Sequence, residues 1–145
     1  MGTLSEIQHR KQITRPFVVE TIDLSGYTID DFFWSGDWYL SKQKVMRALS
    51  YHESECPPII KELLTRYNMD GVSMFSSIDD YTHNGFDYHV DDYEICATNF
   101  VGRTEWCFDN MKFELGVGDV LYIPKGVAHS VNVLTDERMS ASFIR

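Results

Sequence analysis

The sequence predicts a mostly β chain, an antiparallel barrel or jelly roll with a helical segment on its N-terminal side. Two observations carry this prediction. From Val72 onward the chain contains eight short stretches that are rich in β-branched and aromatic residues and are separated by turn signals. Before that point, apolar residues recur at helical spacing, most clearly in Pro58–Asn68.

The elements before residue 72 follow from local patterns of apolar residues, caps and breakers. Alternation predicts the first strand, which Ser25-Gly26 ends, and Thr28 with Asp31 three positions later is typical of a helix N-terminus. In chain order, we predict a weakly ordered arm at 1–15, a strand at Phe17–Leu24, a short helix at Thr28–Phe33, a connection at Trp34–Leu40 and helices at Ser41–Leu49 and Pro58–Asn68.

The second half of the chain is predicted to be all strand. Val101-Gly102, Asp109-Asn110 and Gly116-Val117-Gly118 are its clearest turns. The predicted strands are Val72–Ser77, Phe86–Asp91, Glu94–Phe100, Arg103–Phe108, Lys112–Leu115, Asp119–Ile123, Ala128–Leu134 and Met139–Ile144. We therefore expect one domain over 16–145, with a strand and helices at 16–71 and the barrel core at 72–145.

Composition and charge exclude several classes of function. The chain has 145 residues and a net charge of −9, which argues against nucleic acid as the main partner. No apolar run approaches the roughly 20 residues that cross a bilayer, and the polar N-terminus lacks the apolar region of a secretory signal. Three cysteines without a Cys-x-x-Cys pair fit a reducing compartment. We expect a cytoplasmic protein that does not contact membranes.

A histidine and an aspartate two residues apart, together with a distant histidine, have the composition of a metal site. His89 and Asp91 lie at positions i and i+2 of a predicted strand, so their side chains point to the same side. His129 begins another strand, directly after the turn around Gly126. Two imidazoles and one carboxylate can hold a divalent iron on one face and leave the opposite face open.

Two longer motifs surround these residues. Residues 118–129 match the pattern Gly-x5-Pro-x-Gly-x2-His, which resembles the second motif of the cupin superfamily, and Asn132 follows one position earlier than the cupin asparagine. Residues 85–94 carry Gly-Phe-x-x-His-x-Asp-x-x-Glu, and residues 102–106 carry Gly-Arg-x-x-Trp. This half resembles the JmjC-like branch of the same superfamily. The resemblance covers about residues 72–145.

The resemblance implies a double-stranded β-helix that binds Fe(II), or another divalent metal, through His89, Asp91 and His129. It further implies oxidation by O₂ coupled to decarboxylation of 2-oxoglutarate. JmjC-like relatives often bind the far carboxylate of 2-oxoglutarate with a Lys or Arg on the hairpin strand after the triad. Thr104 occupies that position here, and Arg103 beside it points to the opposite face unless the strand bulges.

Neutral residues are therefore our candidates for binding the co-substrate. These candidates are Asn99, Thr104, Ser140 and Ser142, and the remaining nearby cations are Lys125 and Arg138. Two alternatives stay open. One is a metal-binding cupin with isomerase or dioxygenase chemistry that needs no 2-oxo acid, which the missing cation favours. The other is a non-catalytic cupin that binds a small molecule. The substrate is a small molecule or a protein, and a homodimer paired through edge strands is possible.

Overall fold

The computed structural model describes Leu4, Ile7 and residues 13–32, 38–40, 46–48, 57–77 and 86–145, with backbone alone at 38–40, 46–48 and 86. In chain order, the elements are β1 (Phe17–Thr21), a 3-10 helix (Ile29–Phe32), β2 (Trp38–Leu40), β3 (Met46–Ala48), α1 (Pro58–Arg66), β4 (Gly71–Ser77), β5 (Phe86–His89), β6 (Ile95–Val101), β7 (Thr104–Cys107), β8 (Lys112–Leu115), β9 (Asp119–Ile123), β10 (His129–Val133) and β11 (Arg138–Ile144). None of the helices in these ranges is long and apolar enough to cross a bilayer.

The strands form two antiparallel sheets that share one interior. The larger sheet has the order β1-β9-β6-β11-β4-β3-β2, and the smaller has the order β5-β10-β7-β8. Ile95 and Leu121 of the larger sheet pack in one cluster with Trp106 and Val131 of the smaller sheet. Because each sheet buries one face against the other, the chain forms a jelly-roll barrel. The mostly β prediction is confirmed.

A second core covers the outer face of the larger sheet. The apolar stripe of α1, at Ile60, Leu63 and Leu64, packs there against the outward residues of β4 and β11. Ile7, from the segment predicted to be an arm, is also fully buried in this core. Each such side chain contributes roughly 1.5–3 kcal/mol by burial. The central strands β6 and β11 are therefore buried along nearly their whole length, with one face under α1 and the other in the barrel.

The C-terminus of α1 turns the chain into β4. The helix ends at Arg66, two residues before the predicted end, and Asn68 adopts a left-handed conformation with φ 54°. The N–H of Met69 donates to the carbonyl of Leu64 at 2.9 Å, which satisfies a carbonyl of the last turn. Asparagine tolerates this backbone region better than most residues, so it takes the place that glycine usually occupies.

Two predictions in the N-terminal half are wrong. The structure places a strand at Met46–Ala48, inside the predicted helix Ser41–Leu49, and another at Trp38–Leu40, inside the predicted connection. These two strands pair with each other, and β3 pairs with β4. The apolar pattern of Ser41–Leu49 spans barely two turns, and the exposed edge of β4 offers backbone hydrogen bonds that a local pattern does not reveal.

Candidate metal centre

The three predicted ligands come together at one end of the smaller sheet. His89 is the last residue of β5, His129 is the first of β10, and the two are partners in the antiparallel register. Their ring centroids lie 4.4 Å apart. Asp91 follows β5 by two residues, and its backbone carbonyl accepts a hydrogen bond from the N–H of Gly126 at 3.0 Å. The turn before β10 thereby holds Asp91 beside both imidazoles.

Backbone carbonyls fix the orientation of both imidazole rings. The Nδ1 atom of His89 lies 2.7 Å from the carbonyl oxygen of Asp87, and that of His129 lies 2.9 Å from the carbonyl oxygen of Val127. A carbonyl only accepts hydrogen bonds, so each Nδ1 carries a proton and each Nε2 becomes the ligating atom. One ligand atom from each of the three residues lies within 4.8 Å of the others.

The three candidate ligand atoms lie so close together that a cation among them would stabilise the arrangement. Oδ2 of Asp91 lies 3.3 Å from Nε2 of His89 and 3.2 Å from Nε2 of His129. With a proton on both Nε2 atoms, the hydrogen bond with His129 and the charges of both imidazoles lower the pKa of Asp91 despite its partial burial. With neutral rings that carry their proton on Nδ1, the ionised carboxylate faces two lone pairs, and this contact is repulsive unless one metal lies among all three. The donor set therefore fits a divalent metal such as iron.

The candidate metal site is closed on one side and open on the other. His129 is buried, and its ring packs against Trp106 at 5.6 Å and Phe108 at 6.0 Å between centroids. The His89 side chain is 37% exposed at the rim. Aromatic packing holds His129 in place and keeps water from its inner side, while a ligand can approach past His89.

A cavity of about 90 Å³ extends from the triad into the barrel. Its wall on the larger sheet carries three polar residues of β11, Arg138, Ser140 and Ser142, beside apolar ones such as Phe75 and Ile144. The intervening residues of β11 pack in the core under α1. Ser73 of β4 adds a further hydroxyl. Polar groups are costly to bury unless they bind something, so this wall is suited to a polar ligand.

The structure separates the four predicted co-substrate residues into two pairs. Ser140 and Ser142 line the cavity. Asn99 and Thr104 lie fully buried behind its wall, with Asn99 Nδ2 donating to Thr104 Oγ1 at 3.0 Å. Trp106 lies on the same face of β7 as Thr104, and its Nε1 donates to Thr104 Oγ1 at 3.2 Å. The indole thus covers Thr104 and removes its hydroxyl from the cavity, contrary to our expectation for both Asn99 and Thr104.

A buried arginine, Arg138, also belongs to the cavity, although we had named it only as a nearby cation and not as a candidate for binding the co-substrate. It is 2% exposed, and it lines the cavity together with the triad. The available signal was the alternation of Arg138, Ser140 and Ser142, but the predicted strand began one residue too late. Arg103, the other arginine considered, is exposed and forms an ion pair with Glu114.

Comparison with solved structures supports the jelly-roll fold that the sequence motifs imply. No protein-family model matches the chain, and no curated protein matches it significantly. Solved structures do match. YcfD, a ribosomal oxygenase from Escherichia coli in complex with cobalt and succinic acid, superposes with a TM-score of 0.69 at 18% identity, over 97% of this chain and 51% of YcfD.

Two further structures support the same fold. YcfD in complex with cobalt and 2-oxoglutarate has a TM-score of 0.66 at 19% identity, again over 97% of this chain and 51% of YcfD. KdgF from Halomonas sp. has a TM-score of 0.56 at 14% identity, over 74% of this chain and 84% of KdgF. The chain thus spans about half the length of YcfD. At these identities the similarity establishes the fold alone.

Proposed function

We propose that this protein is an Fe(II)- and 2-oxoglutarate-dependent oxygenase. The observation that carries the proposal is the convergence of His89, Asp91 and His129 on one point, beside a cavity that Arg138, Ser140 and Ser142 also line. The similarity of the fold to YcfD, which was solved with cobalt and 2-oxoglutarate, supports it. The substrate is a small molecule or a protein.

Each part of the site has a definite task in this proposal. His89, Asp91 and His129 would hold the metal through Nε2, a carboxylate oxygen and Nε2. When bound, Fe(II) would supply the activation of O₂, and oxidative decarboxylation of the 2-oxo acid would supply two of the electrons that O₂ takes up. Trp106 and Phe108 keep His129 dry and fixed. Ser142 offers a hydroxyl to the co-substrate, Ser140 lines the same wall with its hydroxyl proton donated to Asn99 Oδ1, and the partly exposed side at His89 leaves room for the substrate.

The test is spectroscopic and uses the whole chain. The protein is loaded anaerobically with Fe(II), and 2-oxoglutarate is then added. We expect a visible metal-to-ligand charge-transfer band, followed in air by slow formation of succinate even without a substrate. His89→Ala and Asp91→Ala should abolish both signals, while Lys125→Met, which changes an exposed lysine near the site, should keep them. Metal uptake with neither band nor succinate would refute the proposal.

A second candidate is a metal-dependent cupin whose chemistry needs no 2-oxo acid, such as an isomerase or a different dioxygenase. The neutral Thr104 at the position where JmjC-like relatives often carry a cation favours it. This candidate predicts metal binding at the same triad and no response of the metal spectrum to 2-oxoglutarate. The experiment above therefore separates the two.

A further inference from the structure

Tyr93 lies in a short segment between β5 and β6 that is anchored at both ends. Before it, the backbone carbonyl of Asp91 accepts a hydrogen bond from the N–H of Gly126 at 3.0 Å. After it, Glu94 exchanges two backbone hydrogen bonds with Arg145, at 3.0 and 3.1 Å. Because the backbone is held on both sides, the position of Tyr93 beside the candidate metal site is fixed by the fold.

The side chain of Tyr93 points back to one of the candidate ligands. Tyr93 is 38% exposed, and it lines the cavity together with the triad. Its hydroxyl forms a hydrogen bond with the carboxylate of Asp91, two residues earlier. An ionised carboxylate only accepts hydrogen bonds, so the hydroxyl of Tyr93 is the donor. The carboxylate of Asp91 thus contacts both imidazoles and a phenol at once.

This hydrogen bond restricts how Asp91 can bind a metal. A carboxylate binds a metal ion through one oxygen or through both. Oδ2 of Asp91 already faces the Nε2 atoms of His89 and His129, at 3.3 and 3.2 Å. A hydroxyl that donates to the carboxylate occupies one of its lone pairs and holds its plane in one orientation. The hydrogen bond therefore opposes the rotation that would bring the second oxygen to the metal.

The way in which Asp91 binds decides how many positions of the metal stay open. One ligand atom from each residue of the triad leaves three positions of an octahedral ion for exchangeable ligands. If Asp91 bound through both oxygens, only two positions would remain. In the proposed reaction a 2-oxo acid occupies two positions and O₂ a third. Only binding of Asp91 through one oxygen therefore leaves room for both.

We propose that Tyr93 is a positioning residue, which holds Asp91 as a one-oxygen ligand and so keeps the third exchangeable position of the metal open. The role of Tyr93 rests on the proposed metal site. It adds to that site a residue at one of the variable positions of the motif Gly-Phe-x-x-His-x-Asp-x-x-Glu. Tyr93 acts through the carboxylate of Asp91 and needs no contact of its own with the metal.

A second tyrosine of the same region provides a matched control. Tyr88 belongs to β5 and is 51% exposed, and its hydroxyl donates to the carboxylate of Asp109. Neither Tyr88 nor Asp109 is among the described residues that line the cavity. Changing either tyrosine to phenylalanine removes a hydrogen bond between a phenol and an aspartate. Only at Tyr93 is that aspartate a candidate metal ligand.

The test counts the water molecules on bound Mn(II). Water proton relaxation is measured for the Mn(II)-loaded wild type, Tyr93→Phe and Tyr88→Phe without a co-substrate, and the paramagnetic resonance signal of free Mn(II) checks that each protein is fully loaded. We expect the wild type and Tyr88→Phe to give the same relaxivity. In Tyr93→Phe, binding of Asp91 through both oxygens should displace one water and lower the inner-sphere relaxivity by about one third.

The outcomes separate the role of Tyr93 from the oxygenase function. Equal relaxivity of the wild type and Tyr93→Phe would overturn the role, and so would an equal decrease in Tyr88→Phe. Loss of Mn(II) binding in Tyr93→Phe alone would overturn it too, because Tyr93 would then be needed to hold the metal at all. If the wild type binds no Mn(II), the metal site and the role of Tyr93 fail together. If Tyr93→Phe behaves as expected but the Fe(II) protein forms no succinate, the role stands and the oxygenase function fails.

Discussion

Replacing Arg138 by methionine should stabilise the metal-free and ligand-free protein. Burial that lowers the pKa of a guanidinium to about 9 corresponds to a cost of roughly 5 kcal/mol at most. The methionine side chain fills much of the same volume and carries no charge. It loses the hydrogen bonds to Ser77 and Ser140, at 3.1 and 3.4 Å, which contribute up to roughly 1 kcal/mol each. We expect a net gain of about 2 kcal/mol.

The measurement is thermal and urea-induced unfolding of both proteins in the presence of a metal chelator. For a chain of this length, about 2 kcal/mol raises Tm by roughly 4–8 °C. Arg103→Met removes an exposed ion pair and should change stability by less than about 1 kcal/mol. A loss of more than about 1 kcal/mol in Arg138→Met would refute the reasoning, since it would reveal an acidic partner. Asp79 and Asp80, which follow β4 in the sequence, would then be changed to asparagine first.

Three further predictions concern the ligands, the turns and the surface. His89→Ala should weaken Mn(II) binding by more than roughly 100-fold in a metal titration, with little change in the Tm of the metal-free protein. Gly118→Ala should destabilise far more than Gly26→Ala: both have positive φ, of 87° and 94°, but only at Gly118 would the added Cβ overlap a backbone oxygen, so equal losses of Tm would contradict this. Glu20→Gln should cost up to about 1 kcal/mol at neutral pH, because Arg66 lowers the pKa of Glu20. That stabilisation is complete above about pH 4.5 and is lost as the pH falls through the lower folded value, so the urea midpoints of the two proteins should converge in acid.

Local sequence predicts the strands and the triad for a shared reason. Most β strands from Val72 onward are short and bounded by turn residues, so alternation defines their faces, and their ends to within one or two residues. His89 and Asp91 are two residues apart in the sequence. The turn around Gly126 fixes where β10 begins, and His129 is the first residue of that strand. Neighbours in sequence therefore fix most of this geometry, and β10 needs only to pair with β5 to complete it.

The parts that the sequence did not predict depend on distant neighbours. Strands β2 and β3 exist because β4 has an edge to pair with, which no local pattern records. Thr104 was expected in the cavity because its position aligns with the cation of relatives. The indole of Trp106 covers Thr104 and donates a hydrogen bond to its hydroxyl, and this contact keeps the hydroxyl out of the cavity. Sequence alignment compares positions, whereas access to the cavity is set by the size of the neighbouring side chain.

The position of Arg138 on β11 explains how an unfavourable buried charge can persist. β11 is hydrogen-bonded on both sides, to β4 and β6, and its outer residues Met139, Ala141 and Phe143 are fully buried under α1. This packing stabilises the strand without help from the cavity face. Contacts on the opposite face of β11 therefore offset the free-energy cost of burying the Arg138 guanidinium. A guanidinium on a loop would move out to water. On this strand the guanidinium stays in the cavity.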